Sequence, residues 1–308
     1  MNMTTQVLAP IIIFAFNRVD TLKNTIESLK KNKEAKDSEL FVFVDGPRSN
    51  KIGEKEQVLA VQEYVKTISG FKNLQYKFSA TNKGLAPSVI SGTTEIINQY
   101  GKVIVVEDDL YVSPCFLTYM NLLLYKYQND QRIFQISGYG LKIKIPYDYK
   151  YDIYMHIRAH SWTWATWKDR WESVDWEVKD FQDLIKDKKK QKAFNKGGSD
   201  LFKMLKNYME GKNNSWYIRF TYSMFLQGKF GISPIKSLVI NDGFRVQSTH
   251  CNTYNRYTVD FFNEYKSDFS IPEHIEWDPK ISKKVYKYWS IPYRFYGKIM
   301  TFLKKIAL

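Results

Sequence analysis

At 308 residues, with 44% apolar and 25% charged side chains, the chain can bury a sizeable core as one large α/β domain or two smaller ones, which excludes disorder as its default state. A formal charge of +14 points to a polyanionic partner, but does not choose among nucleic acid, anionic lipid and nucleotide diphosphates. Aromatics reach 16%, with 22 Tyr and 8 Trp, a supply that suits cores, sugar-stacking surfaces and membrane interfaces alike. In chain order, Pro10–Phe16 reads as a first buried strand ending at Asn17-Arg18. Thr21–Lys31 follows as a helix with Leu22, Ile26 and Leu29 at helical spacing and Asp20 placed to cap it. Leu40–Val44 is a second strand, closed by the turn Asp45-Gly46-Pro47-Arg48, and Glu54–Ile68 carries a helical stripe. Leu74–Phe78 is a third strand, Asn82-Lys83-Gly84 a turn, and Ala86–Asn98 a further helix. Strands alternating with helices predict a parallel sheet with right-handed crossovers.

The central strand comes next. Val103–Val106 is an unbroken β-branched run, suited to a strand buried on both faces, and Glu107-Asp108-Asp109 follow where it would emerge. Three adjacent carboxylates need water, donors or a cation beside them, and hard oxygen ligands suit Mg2+ or Mn2+ holding a diphosphate. The alternative is a solvated acidic loop before the helix that Ser113-Pro114 would start. Beyond it, Pro114–Gln128 reads as a helix and Arg132–Ser137 as a strand. The segment from His160 to Trp167 is rich in aromatics, and Trp171 and Trp176 continue the theme. Lys186–Lys192 is a basic helix end or loop, Leu201–Met209 and Tyr217–Leu226 are helices, and Ser237–Ile240 is a late strand. Cys115 and Cys251 form no metal-ligand pattern and read as free thiols of a reducing compartment. Neither a signal-peptide pattern nor a charge-free stretch of about 18 residues is present, so the body is expected in the cytoplasm.

Polar residues at predicted strand ends share one sheet edge: Asn17 and Arg18, Asp45, and the acidic triplet. Ligands of open α/β sheets sit at that edge. The set can address each part of a nucleotide-sugar, with Asp45 accepting from the N3–H of uracil, Arg18 pairing with phosphate and Asp109 holding a metal. Singly, each has a plainer alternative: Asp45 as a turn former, Arg18 as a surface charge.

The residues Pro10–Arg18, Asp45, Val103–Pro114 with its Glu-Asp-Asp-Leu-x-x-x-Pro, Ser161–Trp176, Ser215–Phe220 and Pro234–Cys251 together resemble GT-A glycosyltransferases. The likeness is to the family-2 type and the related N-acetylglucosaminyltransferase I, and the last segments are similar to bacterial capsule and cell-surface polysaccharide transferases. It implies a mostly parallel, Rossmann-like GT-A sheet flanked by helices over residues 1–278, with 1–112 the nucleotide-sugar half and 113–278 the acceptor half. It also implies donor contacts from Phe16, Asn17, Arg18, Asp45, Lys83, Glu107 and Asp108, and a metal on Asp109 with His250 as a second candidate ligand. The match breaks where N-acetylglucosaminyltransferase I has Trp-Asp-Asp-Trp with its general base, because this chain has Trp216-Tyr217-Ile218-Arg219. Asp175 and Glu172 are the replacement candidates for the base, with exposed helix charges as the alternative. Arg219 is a candidate for the diphosphate clamp or a structural salt bridge. Trp162 and Trp164 are candidates for an acceptor-sugar platform or for the core.

These readings predict a Mn2+- or Mg2+-dependent enzyme moving a hexose or N-acetylhexosamine from a UDP-sugar to a growing, lipid-linked bacterial surface glycan. The rivals are a sugar-nucleotidyltransferase, which should carry a Gly-rich basic loop that Ala9–Asp20 lacks, and a non-catalytic basic binding protein for glycan or nucleic acid. Under the enzyme reading, no nucleic acid is expected as a partner. The tail, residues 279–308, is predicted to be a basic amphipathic helix peripheral to the inner face of the cell membrane. Ile281–Leu308 holds seven Lys or Arg and no acid. In it Ile291, Phe295, Ile299, Phe302 and Ile306 share one helical face, with Arg294, Lys298, Lys304 and Lys305 on the other.

Overall fold

The computed structural model describes residues 7–241, 258–296 and 299. Its centre is an eight-stranded sheet of β1 (Ile11–Ala15), β2 (Glu39–Val44), β3 (Asn73–Phe78), β4 (Lys102–Glu107), β6 (Ile133–Ser137), β7 (Ile153–His156), β8 (Thr163–Trp167) and β9 (Phe230–Pro234). Their order is β3-β2-β1-β4-β8-β6-β9-β7. The first four strands are mutually parallel, as is the β6–β9 pair, whereas β8 runs antiparallel to both β4 and β6. The edge strand β7 is antiparallel to β9. The C-terminal ends of β1, β2, β3, β4, β6 and β9 therefore open on one edge of the sheet.

Alternation through the buried strands explains why their sequences show no polar face. Ile11 and Ile13 of β1 and Ile104 and Val106 of β4 pack against helices α1 (Val19–Lys30), α2 (Glu54–Lys66) and α4 (Phe116–Lys126). Ile12, Phe14, Val103 and Val105 point the other way, to α3 (Leu85–Tyr100), the short α5 (Lys168–Glu172) and α9 (Trp216–Leu226). A satellite cluster under α9 is formed by α6 (Phe181–Lys186), α7 (Lys188–Phe194) and α8 (Leu201–Met209). Both faces being covered, continuous apolar runs are the expected sequence signature.

Three features depart from the sequence reading. Asp20 does not cap α1; the N-cap is Arg18, and Asp20 sits within the first turn. Asp108-Asp109 is a two-residue turn into β5 (Leu110–Val112), which pairs antiparallel with β10 (Val239–Asn241), so the acidic triplet is held on both sides by strands and is not a loop leading straight to a helix. The tail, third, is not detached from the domain at 279. Helix α10 (Pro279–Tyr288) is capped by Asp278, whose side chain accepts from the Ile281 N–H at 2.9 Å, and Ile281, Val285, Tyr288 and Trp289 are buried in the main core. The Trp289 carbonyl accepts from the Ser199 backbone N–H and hydroxyl at 3.2 and 3.0 Å, and the Arg158 guanidinium lies 4.0 Å from the Trp289 ring. After a break at 289–290, residues 291–296 are again helical, with Ile291 and Phe295 exposed. Lys298, Phe302, Lys304, Lys305 and Ile306 lie outside the described residues.

Candidate active site

Register brings the polar strand ends together. Phe14 of β1 lies beside Glu107 of β4, and Ala15 beside Val44 of β2, so Phe16, Asp45 and Asp108-Asp109 emerge at one level. Arg18, three residues past β1, reaches across to the triplet. Its Nη1 donates to Asp109 Oδ2 at 2.9 Å and its Nη2 donates to Asp108 Oδ1. One half-exposed guanidinium thus bridges two carboxylates, of which Asp108 is buried and Asp109 nearly so. Charge-assisted pairs of this kind are the favourable way to hold adjacent acids in a low-dielectric edge.

The remaining carboxylate chemistry is set by burial. Burial drives Glu107 well above the usual carboxylate range, reinforced by the charges of Asp109 and Asp108 and only partly opposed by Arg18. Asp108 is raised to about 6, again chiefly by burial, with Arg18 pulling it down and Asp109 pushing it up. Burial pulls the Arg18 guanidinium down, but the two aspartates outweigh it and its pKa rises.

A raised carboxyl pKa contributes stability that is complete below the ordinary 3.8 and is lost as pH rises through about 6. Asn at this position mimics the protonated acid and does not titrate. In EDTA, Asp108→Asn is therefore expected to gain on the wild type by about 2 kcal/mol between pH 4 and pH 7. Urea unfolding at the two pH values reads this directly; a stability difference that stays constant with pH contradicts it.

Asp45 is fixed by three backbone donors: Gly46 N–H and Lys83 N–H at 2.9 Å to Oδ1, and Gly84 N–H at 2.8 Å to Oδ2. The carboxylate thereby ties the end of β2 to the loop that starts α3, and the Asn82 side-chain amide donates back to the Gly46 carbonyl at 2.9 Å. Only glycine fits at 46, since a Cβ there would meet the Thr81 backbone at 2.5 Å. Between these elements lies a cavity of about 340 Å³, within the range of small-ligand sites. Phe14, Phe16 and Phe43 supply apolar wall, while Arg18, Asp45 and Asp108 supply charge. Gly92 of α3 makes room for the stacked Phe14 and Phe43 rings, 5.5 Å apart. Asn17 is turned to Gln57, its amide donating at 3.0 Å, and Lys83 is exposed at the cavity's loop.

The sequence reading missed Arg48, Asn82 and Ser88, which also line the cavity. The signal for Arg48 was its place in the same turn as Asp45; Ser88, on the first turn of α3, gave none.

Among the described residues, no group of three or more His, Cys, Asp or Glu side chains is arranged to hold a metal. A Mg2+-type site needs no such cage, because one or two carboxylates suffice when phosphate oxygens and water complete the shell. Asp109 fits that description: its Oδ2 takes Arg18, while its Oδ1 is buried with no hydrogen-bond partner among the described residues.

A model of glycosyl transferase family 2 matches residues 11–202, well over half of the chain. The chain belongs to that family. Its fold is accordingly GT-A, and it is a glycosyltransferase. No curated protein sequence matches it. Among solved structures it is similar to the mannosyltransferase PcManGT from Pyrobaculum calidifontis in complex with GDP-Man and Mn2+, at 12% identity and a TM-score of 0.40, covering 73% of this chain and 70% of that one. It is also similar to S. aureus TarS 1-349, at 14% identity and a TM-score of 0.41, covering 75% of this chain and 59% of that one.

The other residues singled out in this family-2 glycosyltransferase lie elsewhere. Antiparallel β8 carries the chain from the acidic edge to the opposite one: Thr163 faces Val106, and Trp167 faces Lys102. Lys168 N–H then bonds the Gly101 carbonyl at 2.9 Å, so α5 begins at the N-terminal end of β4. Glu172 and Asp175 are thus separated from the triplet by roughly 15 Å of strand. Glu172 is exposed, 3.7 Å from Lys168. Asp175 accepts from the backbone N–H groups of Glu177 and Lys179 at 3.0 and 2.8 Å, and these bonds outweigh burial and lower its pKa. The base reading is corrected on position: neither is brought to the acidic edge, Glu172 being an exposed helix charge and Asp175 tied to its own turn.

Trp164 is 1% exposed and packs against Trp171, Trp216 and Phe220 in the second cluster, whereas Trp162 sits 4.6 Å from the Tyr139 ring against the first. The two do not form one platform. Arg219 donates to the carbonyls of Ser215 and Trp176 at 3.2 and 3.1 Å and lies 4.5 Å from the Tyr208 ring; it is not among the residues lining the cavity. His250 lies outside the described residues.

Proposed function

We propose that this glycosyltransferase moves a hexose or N-acetylhexosamine from a UDP-sugar to a growing, lipid-linked bacterial surface glycan, and depends on Mn2+ or Mg2+. The observation that carries the reading is the convergence of Arg18, Asp45 and Asp108 on one cavity at the C-terminal edge of the sheet, with Asp109 held against it by Arg18. Phe14, Phe16 and Phe43 would pack against the base, Asp45 and the Lys83–Gly84 backbone would face the uracil, and Asn17 would stand at the mouth. Arg18 would release its hold on the aspartates and pair with the diphosphate, a change within reach of a half-exposed side chain. Asp109 would hold the metal through the free Oδ1, with Glu107 and Asp108 facing the ribose and the transferred sugar. A bound divalent ion would supply charge neutralisation on the departing diphosphate.

The lipid-linked acceptor and an inner-membrane location are supported by the acid-free basic tail. No helix among the described residues is long and apolar enough to cross a membrane. The domain reading is adjusted to the packing: residues up to about 289 belong to the transferase body, and the membrane-facing part begins after them.

The test is a panel of nucleotide-sugars incubated with the protein and Mn2+, scored for free nucleoside diphosphate. Release from one or a few UDP-sugars is the expected result. Turnover confined to donors of another base would remove the uracil assignment.

A further inference from the structure

Helix α10 turns Ile281, Val285 and Tyr288 into the core and leaves its lysines outside. Beside it runs the segment 142–147, which leaves the C-terminal end of β6 and returns at β7. Two contacts tie these distant pieces together: Lys284 Nζ donates to the Lys144 carbonyl, and Lys280 pairs with Asp148 at 3.3 Å. Between them is an open depression of about 630 Å³, walled by Pro146, Tyr286 and the stems of Lys280, Lys283, Lys284 and Lys287.

Lys283 and Lys287 have no ion-pair partner among the described residues, and Tyr147, next in the chain to Pro146, is fully exposed. Further along the chain Ile291, Phe295 and Ile299 are 69%, 62% and 41% exposed. Uncompensated ammonium groups next to exposed aliphatic side chains suit a surface that is anionic outside and apolar beneath. A nucleic acid would satisfy the lysines but gives Ile291 and Ile299 nothing to bury against.

We propose that the depression between α10 and residues 142–147 is a cradle for lipid phosphates, through which the protein grips an anionic leaflet. The inference rests on the membrane-surface reading of the tail and adds a second, folded contact built from two parts of the chain. Segment 142–147 rises from the same sheet edge as the acidic triplet, and β7 lies four strand spacings from β4. The cradle is thus offset from Asp109 by roughly 20 Å along the sheet. Docking there turns the donor cavity's edge toward the membrane, within reach of a glycan whose lipid end stays in it.

The experiment is co-sedimentation of the full-length protein with phosphatidylcholine vesicles, with and without about 30% phosphatidylglycerol, at about 0.1 M salt. Lys283→Glu/Lys287→Glu is expected to lower partition into anionic vesicles by at least about tenfold. Lys189→Glu/Lys192→Glu, the same charge change on the exposed side of α7, is expected to leave it nearly unchanged. UDP-sugar hydrolysis should survive in both, and Lys283→Gln/Lys287→Gln serves if the reversal fails to fold. Equal loss from both pairs means that only net charge matters and overturns the cradle. Unchanged binding by the cradle variants, with loss on Ile291→Asp/Phe295→Asp, also overturns it but keeps the tail as a membrane contact. If the wild type ignores anionic vesicles, both readings fall.

Discussion

Asp109→Asn is expected to lower turnover by about 10²- to 10³-fold, the usual loss when one preorganised stabiliser of transition-state charge is removed. The isosteric amide keeps the volume at the strand end and can still meet Arg18 through its oxygen, so the fold is expected to remain intact. What it loses is the negative charge on a carboxylate whose Oδ1 is buried with no hydrogen-bond partner among the described residues. The accompanying loss of Mn2+-dependent UDP binding separates this from a general defect, since a variant impaired only through misfolding would also unfold earlier in urea. Full activity of Asp109→Asn would move the metal, if one is used, away from the triplet.

Trp164→Ala is expected to cost about 3–5 kcal/mol of folding stability, the range for removing a large buried aromatic side chain. Trp164 packs at 5.5 Å on Trp171, 5.0 Å on Trp216 and 5.8 Å on Phe220, and so joins β8 to α5 and α9. Urea unfolding measures the loss. A variant as stable as the wild type but deficient in acceptor binding would reinstate the platform that Trp162 and Trp164 suggested in the sequence.

The first half of the fold was legible because its elements are long and regularly patterned. β1, β2, β4 and α1 to α3 were all anticipated, most to within two residues, and the edge carrying Arg18, Asp45 and Asp109 followed from them. The second half was harder for physical reasons. β7, β8 and β9 have four or five residues each, all buried except the half-buried Phe230, so neither alternation nor length marks them as strands. Strand direction has no local signature either. Because β8 runs antiparallel to β4, the acids after Trp167 finish at the far edge, so Glu172 and Asp175, named for their place beside the Trp cluster, lie away from the triplet. The Arg18 bridge to Asp108 and Asp109 spans some 90 positions and exists only because β1 and β4 are neighbours. The three-residue pairing of β5 with β10 was likewise invisible, since Leu110–Val112 reads locally as the lead-in to a helix. In the tail, helical spacing by itself could not tell protein core from lipid. Ile281, Val285 and Tyr288 face the core, whereas Ile291, Phe295 and Ile299 are exposed and left to meet another surface.

On the proposed function, the cavity beside Arg18, Asp45 and Asp109 binds a UDP-sugar through a divalent metal. The most direct test is release of UDP from the donor selected in the panel, measured without acceptor in Mn2+, in EDTA, and in EDTA followed by excess Mn2+. Slow release is expected in Mn2+, with a fall of about 100-fold or more in EDTA and recovery when the metal is restored. Release that continues undiminished in EDTA would contradict that reading.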